Sequence, residues 1–164
     1  MQTRELYYED PMCSHFTATV TACQALGGGR FAVTLDQTAF FPEGGGQPGD
    51  RGTLTYAGAA VPVLDTQLMA GEPTHLCAAP IPVGETVDGA LDWPHRFDLM
   101  QQHAGEHLVS GEIHRRFGYD NVGFHMGAEL VTVDYNGLLT WQDLAPIEAA
   151  VNAAVWQDIP CRAW

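Results

Sequence analysis

Leu91-Asp-Trp-Pro-His-Arg-Phe-Asp-Leu-Met-Gln-Gln-His-Ala-Gly-Glu-His107 is the stretch at which this chain changes character, from short β segments to a helix. Asp92 suits the N-cap, Pro94 is tolerated in the first helical turn, and nothing breaks the pattern until Gly118. Phe97, Met100, Ala104, Leu108 and Phe117 are expected to supply much of the apolar face of this helix. Upstream, glycine and proline punctuate short segments at Phe16–Cys23, Arg30–Leu35, Gly52–Tyr56, Ala60–Thr66, Thr74–Leu76 and Thr86–Leu91. Many short strands at that spacing predict a small barrel, with Gly27-Gly28-Gly29 as a hairpin loop. Downstream, Val122–Met126 and Glu129–Tyr135 read as a hairpin turning at Gly127-Ala128, and a second helix is expected from Asp143 to Gln157. The predicted fold class is α+β. A β-barrel domain occupies residues 1–90 and an α+β domain residues 91–164.

A chain of 164 residues, 46% hydrophobic and 16% charged, suits one or two small globular domains. It has no run of eighteen apolar residues, and its start, Met1-Gln-Thr-Arg-Glu5, lacks the basic and apolar regions of a secretory signal, so the expectation is a cytoplasmic protein without a membrane partner. Cys13, Cys23, Cys77 and Cys161 form no C-x-x-C pair and read as reduced structural thiols. The net charge of -13 argues against nucleic acid, because phosphate binding normally leaves a basic footprint. All seven cationic residues are arginine, however, and Arg115-Arg116 could form a local patch for bidentate phosphate contact; a solvated helix end accounts for the pair as well.

Two constellations carry chemistry. His103-Ala-Gly-Glu-His107 puts two imidazoles four residues apart, on one helix face, where both can reach a single metal ion. An exposed pair of helix histidines explains that spacing equally well. Gly105 weakens the helix by about 1 kcal/mol relative to alanine, which makes sense if something approaches the backbone there. His114 lies on nearly the same stripe but about 10 Å further along the axis, too far to share an ion. His125, in a strand, is a candidate to line the site. The five residues also fit the H-x-x-E-H pattern of inverted zinc proteases, with Glu106 as general base and Glu148 as the one evident helical acidic ligand. The second constellation is Thr38-Ala-Phe-Phe-Pro-Glu-Gly-Gly-Gly-Gln-Pro-Gly-Asp-Arg-Gly52. Gly44, Gly45 and Gly46 strip the loop of side chains, so its N–H groups can approach a phosphate or another backbone, and Gln47 is expected to project from it. A tight turn between strands is the plain alternative.

Together, Phe40–Leu54 and Leu91–Ser110, with Val122-Gly-Phe-His-Met-Gly127 and Asn152–Pro160, resemble the editing domain of alanyl-tRNA synthetase, and still more the freestanding AlaX-type editing proteins. The resemblance runs from about Leu6 to the end of the chain. It implies a glycine-loop β-barrel joined to the α+β editing domain shared with threonyl-tRNA synthetase. The activity implied is hydrolysis of the ester between serine or glycine and the terminal ribose of alanine tRNA. Zn2+ on His103 and His107 would polarise the carbonyl, position water or anchor the substrate amine, with Glu106 and Gln47 as catalytic candidates. Gly44, Gly45, Gly46, His125, Arg115 and Arg116 become substrate-binding candidates. So does Asn121, which stands where relatives often carry threonine and whose amide could hydrogen-bond the serine hydroxyl.

Two departures from the family pattern matter. Ala104 stands where relatives have threonine, and no Cys-x-x-x-His occurs in the chain, so two of the four expected zinc ligands are absent and Cys161 does not take their role. The expectation is the N-terminal part of an AlaX-type hydrolase. A non-catalytic domain that binds an aminoacyl-tRNA end or assembles with another subunit is the first rival. The Gly45-Gly46-Gln47 tripeptide, also used by peptide-chain release factors on a tRNA ester, is a weaker analogy.

Overall fold

Alternating side chains and left-handed glycine turns produce the barrel expected from the sequence. In the computed structural model, which describes residues 2–160, β2 (His15–Gly27), β3 (Arg30–Leu35), β5 (Gly52–Tyr56), β6 (Ala59–Met69), β7 (Glu72–Cys77) and β8 (Thr86–Leu91) close in the order β2-β3-β7-β6-β5-β8. All neighbours are antiparallel, and closure leaves no edge strand to pair with other chains. Three elements escape the sequence reading: β1 (Arg4–Glu5), which pairs in parallel with β4 (Gln37–Thr38), and α1 (Leu6–Glu9). Each is too short to show a period. β6 and β7 run past the expected ends because their pairing continues through Leu68↔Pro73 and Met69↔Glu72 to a turn at Ala70-Gly71, after hydrophobic alternation has stopped.

The barrel interior holds Val20, Val33, Leu35, Phe40, Leu54, Val63, Ile81 and Val87, all 2% exposed or less. One polar ring sits among them. His75 is fully buried, with Nε2 2.8 Å from the Thr38 hydroxyl and Nδ1 2.9 Å from the Val33 carbonyl, and burial pushes its pKa down to about 4. Cys77 is buried too, and its thiol is pushed up to about 12, so it is an inert packing group, as expected. Cys13 and Cys23 are free thiols; Cys161 lies outside the described residues.

After the barrel come α2 (Trp93–Phe117), β9 (Asn121–Met126), β10 (Val131–Tyr135) and α3 (Trp141–Trp156), so that an α+β region follows a β-barrel along the chain. The chain divides into two compact units between Leu99 and Met100, within α2. The helix opens as its sequence dictates: the Asp92 carboxylate accepts the His95 N–H at 3.3 Å. It closes at Gly118, whose φ of 70° lets its N–H reach the His114 carbonyl at 2.8 Å. The expected apolar face is corrected, since Phe97 and Leu108 are 41% and 39% exposed while Leu99 and Ile113 are buried. In the second unit the inward stripe is His103, Glu106, Ser110 and Ile113, spaced three, four and three apart. It is mostly polar, which hydrophobic periodicity cannot register. α3 begins at Trp141 rather than Asp143, because Thr140 and Asp143 form a reciprocal capping box. Among the described residues no helix is long and apolar enough to cross a membrane.

Candidate functional site

α2 brings His103 and His107 together as the i,i+4 spacing requires: their rings stack with centroids 5.0 Å apart at 17°. Glu106 joins them, and one ligand atom from each of the three lies within 4.8 Å of the others. His103 has its pKa lowered, first by burial and then by His107, with Glu106 opposing; a neutral imidazole is the form that binds metals. His107 is 73% exposed on its side chain. The arrangement therefore offers one shielded imidazole, one open imidazole and one carboxylate to a common point. It contains no thiol.

Glu106 is the most constrained member. Its side chain is 3% exposed. Oε1 accepts the Ser110 hydroxyl and the Asn121 Nδ2–H, the latter at 2.7 Å, while Oε2 lies 3.5 Å from His107 Nδ1. The Tyr135 hydroxyl stands 2.9 Å from Ser110 Oγ and extends the network, its pKa raised by burial. Ser110 and Tyr135 were not singled out from the sequence. The first was findable, since it follows Glu106 by four residues; the second depends on strand pairing.

That pairing also explains Asn121. β9 and β10 run in register from Val131↔Met126 to Asp134↔Gly123, then shift so that Tyr135 faces Asn121. The extra residue, Val122, is 65% exposed, and the bulge returns Asn121 to the face carrying Phe124, Val133 and Tyr135. The amide is held at both ends, since Oδ1 accepts the Gly123 N–H at 3.0 Å and Nδ2 donates to Glu106. One N–H and one lone pair remain for a ligand.

Other expected residues are placed differently. Phe124, not His125, meets the histidine pair, with its ring 5.3 Å from that of His103. His125 is the next residue along the strand and points to the opposite, exposed side. His114 pairs with Asp120 at 3.0 Å, and Glu148, the acidic ligand a protease would need, is exposed and outside the converging donors. Arg115 spends its fork on Glu112, with Nε at 2.8 Å and Nη2 at 2.7 Å, and Arg116 donates to the same carboxylate. Those bonds hold the Glu112 carboxyl down at about 2 and leave the three side chains with a net charge of one. Gly105 has open space where a Cβ would stand, so none of the described residues explains the glycine.

The glycine loop belongs to the first unit. Gly44 and Gln47 exchange backbone hydrogen bonds at 3.1 and 3.0 Å, and Gly45 and Gly46 turn between them at φ of 59° and 81°, a two-residue hairpin turn that needs positive φ at both positions. The Gly44 and Gln47 N–H groups are thus used internally, and those of Gly45 and Gly46 stand at the tip. Gln47 is 6% exposed instead of projecting. At the base of the loop Asp50, 1% exposed, accepts the Phe41 N–H at 2.7 Å and the Arg96 Nε–H at 3.0 Å. Arg96 also donates to the Ala39 carbonyl at 2.7 Å. A Cβ at Gly49 would strike the Thr66 carbonyl, so only glycine fits there.

Comparison with known proteins agrees with this picture. The family model for tRNA synthetases class II (A) matches residues 2–95. An alanine–tRNA ligase of Pyrobaculum neutrophilum is 38% identical over 99% of this chain and 18% of its own length. The alanyl-tRNA editing protein AlaX-L of Pyrococcus horikoshii is 34% identical over 94% of this chain and 39% of that protein, and the alanyl-tRNA editing protein Aarsd1 of Mus musculus is 32% identical over 94% and 40%. The chain belongs to the class II (A) tRNA synthetase family, and its likeness extends over nearly its whole length to AlaX-type editing proteins. It spans about two fifths of those editing proteins and under a fifth of the ligase.

Proposed function

We propose that the chain is the site-bearing part of a trans-editing hydrolase, which cleaves the ester linking serine or glycine to alanine tRNA. The observation that carries this reading is the His103–Glu106–His107 cluster on a helix aligned with two proteins named for alanyl-tRNA editing. The need for such an enzyme is physical, since a pocket for alanine cannot reject the smaller glycine, or serine with one added hydroxyl, by the factor translation requires.

The residues fit a zinc ion. Imidazole nitrogen and carboxylate oxygen are ordinary zinc donors, and one such atom from each of His103, Glu106 and His107 lies within 4.8 Å of the others, against roughly 3.4 Å between donors on one tetrahedral ion. Zinc on His103 and His107 would supply Lewis-acid polarisation of the ester carbonyl. Asn121 would offer its remaining N–H to the oxygen of the serine side chain, and Glu106, by holding that amide, would fix its direction. In a cytoplasmic tRNA-binding role, Gly45 and Gly46 would offer loop-tip N–H groups to a phosphate, and Arg115 and Arg116, paired with Glu112, would separately contribute one net positive charge. Gln47 stays in the proposal as a buried support of the loop.

The test is release of serine from Ser-tRNA(Ala) by the purified chain, before and after metal removal, beside His103→Ala and His107→Ala. Activity lost with the metal and reduced by at least about tenfold in either variant is the expected result. Activity untouched by chelation and by both substitutions removes the metal site from the reaction.

A further inference from the structure

We infer that Tyr135 and Ser110 are positioning residues for serine selectivity: their hydroxyls lock the Asn121 amide so that one N–H is presented to the hydroxyl oxygen of a seryl group. The inference rests on the editing reading above and deepens it, naming what holds the contact that tells serine from glycine.

A closed ring of four side chains on three elements carries it. Tyr135 on β10 and Asn121 on β9 are register partners across the strand pair. They are joined a second time through α2. The Tyr135 hydroxyl lies 2.9 Å from Ser110 Oγ, Ser110 donates to Glu106 Oε1, and the same oxygen accepts the Asn121 Nδ2–H at 2.7 Å. Ser110 follows Glu106 by four residues, so both stand on one face of the helix. The bulge completes the ring: with unbroken pairing Val122 would face Tyr135, and the shift in register puts Asn121 there.

What each group can give fixes the direction of every bond. Ser110 has one hydroxyl hydrogen and uses it on Glu106, so its oxygen accepts and Tyr135 donates. The Gly123 N–H can only donate and therefore meets Oδ1 of Asn121, which leaves Nδ2 for the carboxylate. A flipped amide would lose both bonds. Asn121 is the one exposed member; Glu106 is buried, and Ser110 and Tyr135 are half-buried. Three shielded groups thus hold the one that a ligand can reach. A seryl hydroxyl can accept its second N–H, and the side chains of glycine and alanine have no atom that can. Removing the Tyr135 hydroxyl frees the Ser110 hydroxyl to turn, and with it one of the two bonds that hold Glu106 Oε1.

Adenosine derivatives carrying serine or glycine through a 3′-amide, which stands in for the ester and resists hydrolysis, are titrated calorimetrically into the wild type, Tyr135→Phe, Ser110→Ala, Ser110→Thr and Asn121→Ala, with circular dichroism on each. Release of serine and glycine from Ser-tRNA(Ala) and Gly-tRNA(Ala) is measured alongside. The wild type is expected to prefer the seryl compound. That preference falls by about fivefold in Tyr135→Phe and in Ser110→Ala, the worth of one neutral hydrogen bond, by at least as much in Asn121→Ala, and returns in Ser110→Thr, which keeps a hydroxyl. A preference unchanged in Tyr135→Phe and Ser110→Ala but lost in Asn121→Ala would overturn the inference and leave the editing reading in place. Equal losses for the seryl and glycyl compounds, as a merely structural role predicts, would overturn it too. If the wild type releases neither amino acid, the editing reading falls; a seryl preference that still depends on Tyr135 then supports the inference, and the absence of any preference overturns it.

Discussion

The two units solve opposite problems with similar polar residues. In the barrel, polar groups are sealed in pairs: His75 against Thr38 and Val33, and Asp50 against Arg96, every member buried within an apolar core or beside it. In the second unit the polar stripe of α2 is the candidate site, and among the described residues few side chains there are fully buried, chiefly Ile113, Met126 and Ile147. Leu138, Trp141 and Trp156 are 85% exposed or more. The first unit uses polarity to fix one loop conformation, and the second gathers it into the proposed site.

The contrast is broken most severely at Arg96. Arg96→Met leaves Asp50 buried without its cation, and removing one partner of a buried pair costs about 3–5 kcal/mol. Chemical denaturation should show that loss, while zinc titration of the second unit's donors stays within error of the wild type. A metal site that fell with Arg96 would mean that the units do not divide the work in this way.

A somewhat smaller effect is expected from acid. The folded pKa of His75 is about 4, below the 6.5 of an unfolded histidine, so the unfolded chain binds more protons between those values. Stability from this residue is complete above about pH 6.5 and lost as pH falls toward 4, a change on the order of 3 kcal/mol. Asp50, its carboxyl raised by burial, works in the opposite sense as pH rises from the unfolded carboxylate value. Denaturation midpoints at pH 7, 5.5 and 4 should fall steeply for the wild type and less steeply for His75→Gln. Equal slopes would contradict the buried neutral imidazole.

The smallest effect sharpens the second unit. Gly105 has open space around its missing Cβ, so Gly105→Ala should raise stability by about 1 kcal/mol and leave metal affinity unchanged. Calorimetry and chelator competition check both, and a destabilised variant would show that the helix surface at Gly105 is not open.

What the sequence made legible follows the same division. The strands of the barrel announced themselves by alternation and glycine turns, and Asp92 and Gly118 marked both ends of α2, because capping is local chemistry. The histidine pair was equally plain from its spacing. The inward face of α2 was hidden, because a stripe reading His103, Glu106, Ser110 has no hydrophobic period. His125 and Asn121 needed strand register: alternation sets the face of His125, and a bulge at Val122 sets that of Asn121. The burial of Gln47 and the capture of Arg115 by Glu112 are contact facts that no residue list contains.

The central claim is that this site removes a wrong amino acid from tRNA and spares the right one. The most direct measurement is a side-by-side deacylation of Ser-tRNA(Ala), Gly-tRNA(Ala) and Ala-tRNA(Ala) by the zinc-loaded chain. The account predicts rapid loss of serine, loss of glycine, and alanine retained at close to the uncatalysed rate. Equal hydrolysis of all three, or of none, would contradict it.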